Sequence, residues 1–131
     1  MPSAAQRIID GEVHKLKGAL GALEDKLQAG KIRAGLEEFK DAIDRTRVSI
    51  WAILTSSRPA EFDTVLLRLR LRRAGELCQN IDSDIKRGIP IAPSEVHRFQ
   101  TTLRTTLDRL EQLVEAKHGA GRPGGQRLEA S

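Results

Sequence analysis

The chain has no tyrosine, three phenylalanines and one tryptophan, so aromatic residues make up only 3% of its 131 residues. That scarcity argues against a β-sandwich, whose strands favour aromatic and β-branched side chains, and against a surface that stacks nucleic-acid bases on successive rings. A single cysteine, Cys78, excludes an internal disulfide and suits a reducing compartment. No apolar run approaches the roughly 18 residues needed to span a bilayer; the longest, Ile50 to Leu54, has five. Met1 to Arg7 lead into a mixed amphipathic stretch rather than the apolar block of a secretory signal, and the expected location is cytoplasmic. Metal-ligand spacing is missing as well. His14, His97 and His118 fall on different segments, and Glu115-Ala116-Lys117-His118 supplies only half of the paired Glu-x-x-His units of a di-iron bundle. The glycines follow no strand, so there is no phosphate loop. Neither metal nor cofactor is expected, and no catalytic activity of its own.

What the sequence does contain is charge and heptad-like spacing. Charged residues make up 31%, with a net charge of +4, which permits acidic or nucleic-acid partners without demanding either. Ile9, Val13, Leu16, Leu20, Leu23 and Leu27 recur at spacings of three and four and predict a first helix over 3–28, with Ser3 as N-cap and Gly30 placed to end it. The stripe then changes phase at Gly30 and resumes with Ile32, Leu36, Phe39, Ile43, Ile50 and Leu54, a second helix over 31–55 with Trp51 at the stripe's edge. Arg47 falls on that stripe and is expected to carry its guanidinium out to solvent.

Pro59 opens a third helix over 59–87, on Ala60, Leu67, Leu71, Ala74, Cys78, Ile81 and Ile85. Leu67 to Arg72 alternates at period two, yet leucine and arginine are good helix formers and no partner strand exists in the chain, so a helix is expected there too. Its back is apolar at Phe62, Val65 and Leu69, with Leu66 and Leu77 between, a pattern that points to self-association or a bound partner. Pro90 and Pro93 break the chain before a fourth helix over 94–118, with Val96, Phe99, Leu103, Leu107, Leu110 and Val114 inward. Four helices joined by short turns predict an all-α, antiparallel up-down-up-down bundle over residues 1–118. Residues 119–131, rich in glycine and arginine, cannot bury apolar area and are expected to be a disordered tail.

One stretch departs from ordinary helix construction. Gly11, Gly18 and Gly21 lie inside the first helix, where each costs about 0.8–1 kcal/mol relative to alanine. All three sit on the outer face around His14, so something must approach that face closely: a partner protein, or another helix against a glycine ridge. His14-Lys15-Leu16-Lys17-Gly18 resembles the H-x-L-K-G core of histidine phosphotransfer domains, four-helix bundles whose exposed imidazole carries a phosphoryl group between receiver aspartates. The resemblance implies that His14 is the phosphoacceptor, that Lys17 offsets the phosphate charge, that Gly18 clears room for docking, and that the partner is a response-regulator receiver. It covers about ten residues. Only thirteen residues precede His14, and Glu24 follows Leu23 where the family usually has a glycine.

The function that these patterns support is a small interaction or regulatory protein that binds a partner or a second copy through the glycine face (Lys17, Gly18, Gly21) or the back of the third helix (Leu69). Phosphotransfer through His14 is one alternative. Nucleic-acid binding is the other, drawing on Arg58, Arg68, Arg70, Arg72, Arg73, Lys86 and Arg87, although these scatter around their helix.

Overall fold

Each apolar stripe becomes one wall of a shared core. In the computed structural model the described residues are 4–57 and 64–118, with side chains described except at 57, 64 and 115–118. They form α1 (Ala4–Gln28), α2 (Ile32–Ser57), α3 (Thr64–Lys86) and α4 (Pro93–His118), and no strand is found among them. The core holds Ile9, Val13, Leu16, Leu20 and Leu23 from α1, Leu36, Phe39, Ile43, Ile50 and Leu54 from α2, Leu67, Leu71, Ala74 and Cys78 from α3, and Phe99, Leu103, Leu107, Leu110 and Val114 from α4. Leu27, Ile32, Ile81 and Ile85, expected inside, are only partly buried at its margin. Val96, also expected inward, is half-buried. Each helix packs against two others, in the cycle α1–α2–α3–α4–α1.

Helix ends follow local chemistry. Gly30 has φ 78° and closes α1 in a Schellman arrangement: Lys31 N–H donates to the Lys26 carbonyl at 2.8 Å and Gly30 N–H to that of Leu27 at 3.2 Å. Gly88, with φ 73°, closes α3 in the same way, through Ile89 to Asp84 at 2.9 Å and Gly88 to Ile85 at 3.1 Å. At the start of α4 the Ala92 carbonyl accepts the first intrahelical bond from Val96 at 3.1 Å, so Pro93 occupies the first helical position, one residue before the expected start at Ser94. The second helix continues past Thr55 to Ser57, and its Ser56 hydroxyl donates to the Ala52 carbonyl at 2.8 Å. The expected Ser3 cap, the start of the third helix at Pro59 with Ala60 and Phe62, and the tail over 119–131 lie outside the described residues.

Polar ties set the pairing between helices. Lys17 donates to Glu111 at 2.8 Å and meets Asp108 at 2.9 Å. One helical stretch further along α1, Glu24 accepts from Gln100 at 3.1 Å and from Nε and Nη2 of Arg104, a bidentate contact along one edge of the guanidinium. Ascending positions on α1 meet descending positions on α4, so these two helices run in opposite directions. Between α2 and α3, Lys40 donates to Gln79 at 3.0 Å and to Asp82 at 3.1 Å, while Arg68 lies over the Trp51 ring at 4.6 Å. That pair is opposed as well. Asp82 was not expected inside, yet its carboxylate is only 3% exposed and is also held by Lys86 at 3.0 Å. The Lys86 bond first, and the Lys40 bond after it, hold this carboxyl below the usual aspartate range despite its burial.

Candidate interaction surfaces

The outer face of α1 is as bare as its glycines predict. His14 is exposed and no polar partner is found for it among the described residues. A Cβ built on Gly11, Gly18 or Gly21 would meet nothing within 4 Å, so no described part of this chain packs on that face, and packing inside the bundle does not explain the three glycines. The glycine that does permit close approach is Gly35 of α2, where an added Cβ would lie 3.0 Å from the Leu23 Cδ1 and 3.1 Å from the Lys26 Cβ. It is buried where α1 and α2 cross near their connecting turn. Lys17 does not stand free beside His14. Its side chain is 25% exposed and its ammonium is turned to α4, where the hydrogen bond to Glu111 and then that to Asp108 raise its pKa above the ordinary lysine value.

A second surface is assembled from α2 and α3. Val48 is 70% exposed and Trp51 52% on α2; Val65 is 62% and Leu69 50% exposed on α3. Arg68 bridges the two helices, its guanidinium carbon lying 4.6 Å from the centroid of the half-exposed Trp51 ring. Sequence spacing placed Leu69 on the back of its helix and Trp51 at the edge of another stripe. It did not join them; the signal that could have done so is Val48 and Trp51 together, two large apolar residues three apart on the polar side of α2.

The arginines divide. Arg68 and Arg72 lie on the α2 side of α3, Arg72 paired with Glu76 at 3.4 Å. Arg73 lines an open groove between α3 and α4 with Leu77, Arg98 and Phe99. Arg70 is half-buried. Arg47 reaches solvent, 3.9 Å from Asp44, as expected. Arg58 lies outside the described residues, and the described arginines of α3 are divided between its α2 side, its α4 side and a half-buried position instead of following one stripe along a phosphate backbone. Because α1 and α3 sit diagonally across the cycle of helices, the His14 face and the Leu69 face point away from each other and cannot belong to one site.

The grooves between α1 and α2 and between α3 and α4 are open and hold about 250 and 290 Å³, below the usual ~300–1,000 Å³ of a small-molecule site. Among the described residues no three of His, Cys, Asp and Glu come together as metal ligands. Cys78 is buried against the α2–α3 seam, and burial pushes its thiol up to about 12, away from nucleophilic use. None of the described helices is long and apolar enough to cross a membrane. No protein-family model, curated protein or solved structure matches the chain.

Proposed function

We propose that the protein is a small cytoplasmic interaction or regulatory module, an up-down-up-down helical bundle that docks a protein partner through the face formed by Val48, Trp51, Val65 and Leu69. The observation that carries this reading is the exposure of four large apolar side chains from two helices side by side, while the core is already filled from all four helices. An isolated exposed leucine is ordinary; a half-exposed tryptophan with an arginine over its ring, beside three more apolar residues, resembles the centre of an interface. A photo-crosslinking amino acid at position 69 should give a discrete adduct in the native host, and one at Thr105, on the exposed back of α4, should not. The protein so identified, once purified, should bind the parent and lose at least tenfold in affinity to Leu69→Glu. Equal adducts from both positions would refute the reading.

A second reading, phosphotransfer through His14, is favoured by a different observation: the exposed imidazole stands among three glycines whose Cβ positions open on empty space. In that step an imidazole nitrogen attacks the phosphorus of a receiver's aspartyl phosphate, the N–P bond forms as the O–P bond breaks, and the aspartate leaves as a carboxylate. Lys17 could offset the new charge only by giving up Glu111 and Asp108. Incubation with a phosphorylated receiver should place acid-labile phosphate on the parent and none on His14→Gln. No transfer to the parent would remove this reading.

A further inference from the structure

The charges around the α2–α3 apolar face define what it accepts. The face is flanked by arginines, Arg47 on α2 and Arg68 and Arg72 on the α2 side of α3, whereas Arg45 lines the α1–α2 groove and Arg73 the α3–α4 groove. Asp44 and Glu76 each lie against one of these arginines, Asp44 with Arg47 at 3.9 Å and Glu76 with Arg72 at 3.4 Å, and Glu61 and Asp63, in the connection between α2 and α3, lie outside the described residues. Among the described residues the partner of the Arg68 guanidinium is the Trp51 ring, which takes none of its in-plane N–H donors and leaves them open to an incoming acceptor. Val65 and Leu69 lie one helical turn apart and Val48 and Trp51 three residues apart, so the apolar centre runs along the helix axes, the geometry that receives side chains at i, i+3 and i+4 of another helix.

From this juxtaposition we infer that the occupant of the α2–α3 face is an acidic amphipathic helix of a partner protein, its apolar stripe against Trp51, Val65 and Leu69 and its carboxylates toward Arg68 and Arg72. The inference rests on the docking face proposed above and adds the chemistry of the partner. A second copy of the same face is disfavoured because a two-fold contact would set arginine rims against each other. RNA is disfavoured because the centre of the face is aliphatic, with a single indole of which one face is already covered by Arg68.

Trp51 is the only tryptophan and there is no tyrosine, so intrinsic emission reports on this face alone. The probe is a synthetic helical peptide of about 18 residues, five turns, with leucines on one stripe and glutamates flanking it. Its companions are the same peptide with every glutamate replaced by lysine, a scrambled acidic peptide without the stripe, and oligouridylate RNA. The acidic amphipathic peptide should move Trp51 emission to the blue and saturate. Its affinity should fall at least tenfold for Leu69→Glu and for the double variant Arg68→Glu, Arg72→Glu, each checked by circular dichroism to be folded. Equal binding of the lysine peptide would overturn the partner's charge while leaving the docking face standing. If neither amphipathic peptide moves the emission, the docking face itself fails. A response to RNA unaffected by Leu69→Glu, or a blue shift of the protein alone with rising concentration, would overturn the inference in favour of nucleic acid or self-association respectively.

Discussion

Replacing Gly11, Gly18 and Gly21 of α1 together by alanine should stabilise the protein. Each position is inside a helix, and an added Cβ meets nothing within 4 Å, so no steric cost opposes the gain in helix propensity. At about 0.8–1 kcal/mol per site the triple variant gains roughly 2.5–3 kcal/mol. For a domain of this size that is a rise in Tm of roughly 10–20 °C, easily read by thermal unfolding followed by circular dichroism, with urea unfolding for the free energy. Gly35→Ala is the internal control. There the new Cβ would sit 3.0 Å from the Leu23 Cδ1 and 3.1 Å from the Lys26 Cβ, so those side chains must give by a few tenths of an ångström and this variant should be at least about 1 kcal/mol less stable than Gly18→Ala. A triple variant no more stable than the parent would refute the open face, because some other body would then have to lie on it in solution. If the triple variant is stabilised yet loses a partner or phosphate acceptance, the glycines are kept for access at the expense of stability.

Asp82→Asn should weaken the fold by roughly 1–3 kcal/mol at neutral pH, since two lysines lose their buried counter-charge but can still reach water. Because the Asp82 pKa is lowered on folding, its contribution is present in full above the ordinary aspartate value and is lost as pH falls from there through the lower value of the folded state; urea midpoints of parent and variant should therefore converge at acid pH. Cys78, buried and with its thiol pushed up to about 12, should resist a thiol reagent in the native state and react at the global unfolding rate, so fast native labelling at neutral pH would contradict its placement. Gly88→Ala should cost about 1 kcal/mol, in opposite sign to Gly18→Ala, because φ 73° is strained for a residue with a Cβ; a stabilised variant would mean that α3 ends elsewhere.

The four helices, the turns at Gly30 and Gly88 and nearly all of the core were legible from spacing and turn residues. Burial of a regular helix repeats every three or four residues and leaves its period in the sequence, and glycine at a left-handed turn marks where that period must stop, as at Gly30 and Gly88. The exposure of His14 was legible for the same reason, since helical phase fixes which side of α1 it occupies. What phase could not fix was the partner across a gap. The turn of Lys17 toward Glu111 and Asp108, the burial of Asp82 between Lys40 and Lys86, and the close approach at Gly35 each join residues far apart in the chain. The α2–α3 face is of this kind: Trp51 and Leu69 each look like one stray apolar residue on its own helix, and only the packing of those helices, with Arg68 laid over the indole, makes them a surface. Periodicity is a property of one segment and is written in its own residues, whereas adjacency between segments is decided by how four filled stripes close on a common core.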